Sequence, residues 1–214
     1  MRANSGRGER KLEQALAALA RALNACGAPW MIIGGIAIIA RGVRRLTTDI
    51  DAVVQGDAVS VQAVIDALGE QGIAPRIERA VDFAQENLVL LVRHQPSGVD
   101  LDVSFGWTSF EVEALGQRAR ARYGKVSAPM ASPEDLVVLK AMAARPKDLE
   151  DAAALLALYP AIDLGRVRSR LRELAAMANA PEVLDGLEAI VRSTSGATRK
   201  KVRSGKASRR RSRR

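Results

Sequence analysis

The chain has 214 residues, 33 basic and 24 acidic, with 48% hydrophobic and 3% aromatic content, enough for one domain with a small helical extension and a core that needs no staples. A lone cysteine, Cys26, excludes a disulfide framework and a multi-cysteine zinc site, and a lone histidine, His94, excludes histidine-pair metal centres. The longest apolar-rich run, Trp30 to Ala40, is about half of a membrane span, and the polar residues 1–11 carry no signal peptide, so the expectation is a cytoplasmic protein without membrane contact.

The net charge of +9 is not evenly spread. Residues 199–214 hold ten Lys or Arg and no acid, which leaves 23 basic against 24 acidic residues in 1–198. The globular part is therefore close to neutral. The tail has too few apolar groups to fold and repels itself, so it is expected to be disordered from about residue 194. It could contact nucleic acid through counterion release, or simply act as a solubilising extension.

In chain order, Leu12, Leu16, Leu19 and Leu23 recur at helical spacing and predict a helix over 9–25, stopped by Gly27. Trp30 to Ile33 reads as a buried strand ended by Gly34-Gly35, and Ile36 to Ala40 as a short helix. After the basic loop Val43 to Leu46, the segment Thr47 to Val54 ends as a strand. Val61, Val64, Ile65 and Leu68 mark an amphipathic helix. A short strand is expected at 73–77 and a better one at 87–93. The turn Gln95-Pro96-Ser97-Gly98 then joins it to a hairpin partner over 99–105. A helix near 109–117 and one strand near 121–128 follow. From Ser132 the pattern is helical throughout, broken at Arg145-Pro146, Pro160 and Pro181. The expected organisation is an α/β core over 1–129, a helical region over 130–193 and the basic tail.

Asp49 and Asp51 are one residue apart, so strand alternation puts both carboxylates on one face with Ile50 on the other. Two such carboxylates repel unless a cation or a proton is shared between them. Magnesium suits, since it takes hard oxygen ligands and typically uses one or two carboxylates plus substrate phosphates. A solvated polar pair at a strand end is the alternative. Gly34-Gly35 at a strand–helix junction offers backbone N–H groups to phosphate oxygens, or forms an ordinary tight turn. Asp100 and Asp102 repeat the one-face pattern in a second strand. If that strand neighbours the first, a third carboxylate joins the pair, the arrangement that supports two-metal displacement chemistry.

Taken together, Ile33-Gly34-Gly35-Ile36-Ala37, Arg41-Gly42, Arg45, Thr47 and Asp49-Ile50-Asp51 resemble the opening motif of the polymerase-β-like nucleotidyltransferases. The stand-alone kind that includes the AbiEii-type toxins is the nearest group by these landmarks. Ser132-Pro133-Glu134-Asp135-Leu136 through Lys140, followed by Arg145-Pro146-Lys147-Asp148 and Asp151, resembles that group's helical motif. The resemblance implies an α/β fold, a mixed sheet with flanking helices, followed by a helical half. It also implies magnesium-dependent transfer of a nucleoside monophosphate from an NTP such as ATP to an acceptor, with release of pyrophosphate. Asp49, Asp51 and Asp102 would hold Mg2+ as a two-metal site, and Gly34, Gly35, Arg45 and Thr47 would face the triphosphate. Lys140 and Asp148 would be the functional pair of the helical half. The alignment of Asp102-Val103-Ser104-Phe105-Gly106 prefers Asp102 to Asp100 as third carboxylate.

The acceptor stays open between a tRNA 3′ end, which is favoured, a protein hydroxyl, and a small molecule of the antibiotic type. A toxin restrained by an antitoxin protein, and a non-catalytic nucleic-acid-binding module of the same fold, are the further readings. Without the resemblance, Lys140 reads as a lysine snorkelling from an apolar helix face, and Asp148 as a first-turn acid favoured by the helix dipole. Arg118, Arg120 and Arg122 would form one basic track on a strand, although a solvated face is the simpler reading.

Overall fold

The apolar runs and glycine stops of the sequence set out a mixed sheet and the helices that cover it, as a computed structural model describes them for residues 2–194. The basic tail lies outside the described residues. The chain divides after Ser132 into two units.

In the first unit, α1 (Arg2–Ala25) buries Leu12, Leu16, Leu19 and Leu23 along one stripe. It leads into β1 (Trp30–Ile33), α2 (Gly34–Ala40) and β2 (Asp49–Gln55). Then come α3 (Val61–Gly69), β3 (Ile73–Pro75), α4 (Ala80–Asn87), β4 (Val89–His94) and β5 (Val99–Gly106). The unit closes with α5 (Ser109–Gln117), β6 (Ala119–Tyr123) and β7 (Val126–Met130). The strands form one seven-stranded sheet in the order β3-β4-β5-β2-β1-β7-β6.

Two pairings in that order position everything that follows. β1 and β2 are antiparallel, with Ile33 opposite Asp51, so the Gly34 turn sits beside that carboxylate. β2 and β5 are parallel, with Asp49 opposite Asp100 and Asp51 opposite Asp102. Between them the chain runs out to the sheet edge as β3 and returns through β4, which is antiparallel to β5. Ile50, Ala52, Leu101 and Val103 are fully buried on the opposite alternation, which fixes the register, because a one-residue slip would send the carboxylates into the core.

The second unit comprises α6 (Pro133–Ala143), α7 (Pro146–Leu158), α8 (Leu164–Met177) and a helix α9 over 182–194. Leu136, Val137, Leu155, Leu171 and Leu187 are fully buried in it. Among the described residues no helix is long and apolar enough to cross a membrane.

The mixed α/β architecture with a helical C-terminal half agrees with the sequence reading, and the local differences have physical causes. The single strand expected near 121–128 is a hairpin, because Gly124 adopts φ +54 and turns the chain between β6 and β7. Helix α4 was not expected. It is bounded by Arg79 and Leu88, both in the left-handed region at φ 52 and 55, and no side-chain cap marks its start. Helix α5, by contrast, starts on a capping box: Glu111 N–H donates to Thr108 Oγ1 at 3.2 Å, and Glu111 Oε2 accepts from Thr108 N–H at 3.1 Å. Thr108→Ala should therefore cost about 1 kcal/mol and lower the melting temperature by about 2–4 °C. Thr108→Ser should retain most of both, as read by a calorimetric or circular-dichroism melt.

Candidate active site

The alternation of β2 and β5 gathers four carboxylates, Asp49, Asp51, Asp100 and Asp102, on one face of two adjacent parallel strands. Beside them, Gly34 takes φ +60, and a Cβ there would overlap the Asp51 carboxylate. A Cβ on Gly35 would likewise overlap the Thr47 hydroxyl. The two glycines are thus required by close approach: they let Asp51 and Thr47 lie directly against the backbone of the turn. The Thr47 hydroxyl in turn donates to Asp49 Oδ1 at 2.8 Å, which fixes the orientation of the first carboxylate. Gly34, Gly35, Thr47, Asp49 and Asp51 are in this way one contiguous arrangement.

The two carboxylates of β5 are held differently. Asp100 accepts two bonds from its cross-strand partner Arg93, Nε at 2.6 Å and Nη2 at 3.1 Å. That hydrogen-bonded pair, with the charges of Arg76 and Arg93 adding to it, keeps the Asp100 carboxyl below the usual carboxylate range. Asp102 accepts instead from Arg76 Nη2, while Arg76 Nη1 lies 3.4 Å from Asp100 Oδ2. Burial pushes the Asp102 carboxyl up, the like charges of Asp49 and Asp100 push it the same way, and Arg76 offsets part of the rise. Asp102 therefore shares the electrostatic field of Asp49. Arg76 and Arg93 are the groups that sequence reasoning missed. Only the strand pairing brings them to the carboxylates, and no motif marks them.

Arg45 donates from Nε to the Leu46 carbonyl at 3.1 Å. It lines, with Thr47 and Thr48, an open cavity of about 1230 Å³. The other wall of the cavity comes from the first turns of α1 and the β6–β7 turn. Arg7, Arg10, Lys11, Arg45 and Arg122 face it against Glu9 and Glu13. Arg118 and Arg120 line a separate, smaller cavity beside Trp30, so the three alternating arginines do not make one track.

In the helical unit, Lys140 is buried rather than snorkelling. Its ammonium donates to Asp148 Oδ1 at 2.7 Å and lies 3.5 Å from Asp151 Oδ2. Asp148 has no exposed side-chain surface and also accepts from Arg145. Burial alone would push the Asp148 carboxyl up. The hydrogen bonds from Arg145 and Lys140, with their charges, outweigh that and hold it below the ordinary value. His94 and Ser97 form a buried turn pair at 2.8 Å, and burial lowers the imidazole, which is a structural use of the only histidine.

The donor set fits a hard divalent cation in part. Asp49 and Asp51 are oxygen donors on one face beside a turn that only glycine can make, which suits a cation completed by phosphate oxygens and water. Among the described residues, no three His, Cys, Asp or Glu side chains close around one metal-sized point. The third carboxylate, Asp102, is engaged by Arg76.

A family model described as a nucleotidyltransferase of unknown function (DUF6036) matches residues 10–186. Among solved structures, the antibiotic-resistance factor ANT(2'')-Ia, in a solution structure, is 19% identical, with a TM-score of 0.55 over 81% of this chain and 94% of that one. An antigenic nucleotidyltransferase-like protein from Paracoccidioides brasiliensis is 17% identical, with a TM-score of 0.43 over 84% and 92% of the two chains. No curated protein matches by sequence. The first of these likenesses shows the fold.

Two outcomes follow from this geometry. Gly34→Ala should force both a left-handed alanine and displacement of Asp51, with a backbone cost of about 1–2 kcal/mol. Divalent-cation binding should weaken in it more than the melt alone explains, as a metal titration beside a thermal melt would read. The second concerns acid. A carboxyl whose folded value is depressed contributes stability above its unfolded value, near 4, and loses it as pH falls through the still lower folded value. Wild-type protein should therefore lose the contribution of Asp148 below about pH 4. Asp148→Asn should be destabilised at pH 7 by about 3 kcal/mol, since it removes the nearer carboxylate of the buried Lys140 ammonium and leaves it only Asp151 at 3.5 Å. The gap between the two proteins should narrow in denaturant melts taken down to pH 3.

Proposed function

We propose, since the chain belongs to the DUF6036 family of nucleotidyltransferases, that it transfers a nucleoside monophosphate from an NTP to an acceptor hydroxyl with the help of magnesium. The observation that carries this reading is the register of β2 and β5, which sets Asp49-Ile50-Asp51 beside Asp100-Leu101-Asp102 next to the Gly34 turn. Asp49 and Asp51 would hold the cation, and Asp102 would complete the set. Bound there, a divalent cation would neutralise the triphosphate and lower the cost of ionising the acceptor hydroxyl.

The chain's own residues account for the rest of the proposed reaction. Thr47 keeps Asp49 oriented through its 2.8 Å hydrogen bond. The Gly34-Gly35 turn and Arg45 face the triphosphate. The acceptor oxygen attacks the α-phosphorus, the bond from that phosphorus to the bridging oxygen breaks, and pyrophosphate leaves with the electron pair. In this reading Asp102, as the third carboxylate, would receive the acceptor's proton, directly or through water. Lys140 and Asp148, held together in the helical unit, are proposed as the second functional pair.

The cavity beside Thr47 favours an anionic acceptor. Apart from Arg45, four cationic side chains line it with two acidic ones, a balance that suits the phosphates of a tRNA 3′ end. The tail over 199–214 would add to the same attraction. The AbiEii-type reading, a toxin restrained by an antitoxin protein, rests on the motif that runs from Ser132 through Lys140 to Asp148. The structural neighbour ANT(2'')-Ia is an antibiotic-resistance factor, and a small-molecule acceptor is the competing reading.

The deciding experiment supplies each labelled NTP with magnesium and either total RNA or a panel of hydroxylated small molecules including antibiotics. Label is expected at tRNA 3′ ends. Label found only in a small molecule would assign the acceptor to the competing class, and no label in any fraction would sink the reading. Asp49→Asn and Asp51→Asn should each reduce transfer by about a hundredfold or more, the scale on which loss of one electrostatic contact to a transition state acts. Their melting temperatures should stay at or above that of wild type, because each removes like-charge repulsion.

A further inference from the structure

Arg76 has no role in the chemistry outlined above, yet it holds the carboxylate that chemistry needs most. It follows β3 directly, and its backbone N–H donates to the Leu91 carbonyl at 3.1 Å, which anchors it to β4. From there its guanidinium spans both acids of β5, donating to Asp102 and lying 3.4 Å from Asp100. Asp100 is itself clamped by Arg93 at 2.6 Å and 3.1 Å. The result is an alternating row, Arg93, Asp100, Arg76, Asp102, laid across the sheet toward Asp49 and Asp51.

This row answers an electrostatic problem. Four carboxylates share one face of two neighbouring strands, and like charges held that close destabilise one another. Arg93 is spent on Asp100, its cross-strand partner. Arg76 is the cation that reaches Asp102, and a cation of the metal site would compete for the same oxygens. The pair is also easy to displace. The Arg76 and Asp102 side chains keep 28% and 42% of their exposure, and ion pairs open to solvent in this way hold weakly.

We propose that Arg76 is a built-in counter-ion that competes with the divalent cation for Asp102, so that the third carboxylate joins the metal site only as Arg76 releases it. The proposal rests on the reading of Asp49, Asp51 and Asp102 as the metal set. It assigns the row of arginines a purpose beyond stability: it offsets repulsion among the carboxylates and sets the threshold at which metal is taken up.

The test is binding of Mn2+ to the full chain without nucleotide, followed by water-proton relaxation or electron paramagnetic resonance, with folding checked by circular dichroism. Arg76→Gln should tighten Mn2+ binding roughly two- to five-fold, the range an exposed ion pair can hold back. Arg76→Lys, which keeps the charge but cannot span both acids, should fall between wild type and Arg76→Gln. In an Asp102→Asn background, Arg76→Gln should change Mn2+ affinity little. A merely structural arginine would leave affinity unchanged or weaken it in step with the melt.

Affinity in Arg76→Gln equal to or below wild type overturns the proposal. So does an equal tightening in the Asp102→Asn background, which would mark a general field effect on Asp49 and Asp51. Should Arg76→Gln fail to fold, Arg76→Lys decides alone, and affinity at or below wild type counts against the idea. Failure of the underlying metal reading looks different: Asp49→Asn and Asp51→Asn would then bind Mn2+ as wild type does, and both proposals fall together.

Discussion

Like-charge repulsion across the parallel pair β2 and β5 is the constraint on which the first unit is built. The core demands that Ile50, Ala52, Leu101 and Val103 point inward, and strand alternation then leaves no choice about where Asp49, Asp51, Asp100 and Asp102 go. Register slip is barred by the same apolar residues. The packing that stabilises the sheet is therefore also what concentrates the negative charge, and the surrounding residues are arranged to manage it. Thr47 satisfies Asp49, the glycine turn admits Asp51, and the two arginines take up the acids of β5.

The topology explains why those arginines are where they are. β2 and β5 are parallel, so the chain cannot pass between them by a hairpin and needs a crossover. Here the crossover is long: it runs through α3 to β3 at the sheet edge and comes back through α4 and β4. Each return strand crosses the level of the carboxylates once. β3 ends at Pro75 with Arg76 next in the chain, and β4 brings Arg93 opposite Asp100. The path that makes the parallel pair possible thus also delivers its counter-ions, which is an economical use of an edge strand only three residues long.

What the sequence made legible follows from the range of the interactions involved. Strands β1, β2 and β5 could be read because alternation and apolar runs are local, and the Gly34-Gly35 turn and the Asp49–Asp51 pair could be read because they fall within a short motif. Arg76 and Arg93 could not, since strand pairing alone relates Arg76 to Asp100 and Asp102 across 24 and 26 residues, and Arg93 to Asp100 across 7. Helix α4 escaped for a different reason. Its boundaries are set by Arg79 and Leu88 in left-handed conformations, where sequence rules look for glycine or asparagine. Lys140 shows the limit of a local reading most plainly. On its own helix it looks like a snorkelling lysine, and only the fold of α7 supplies the buried carboxylates that pair with it.

That buried pair and the exposed row on the sheet solve opposite problems. Lys140 and Asp148 are withdrawn from water, so removing either partner leaves the other under-compensated in a poor solvent, and opening the pair is costly. Arg76 and Asp102 keep contact with water, so water can take over each partner and the pair can open at small cost. A site that must bind and release a strongly charged nucleotide needs the second kind of contact where ligands exchange. It can tolerate the first kind only where nothing has to move. Exposure therefore separates the two pairs within their own units: the Arg76–Asp102 contact on the carboxylate face of β2 and β5 is open to water, and Lys140 with Asp148 and Asp151 is closed to it in the helical unit.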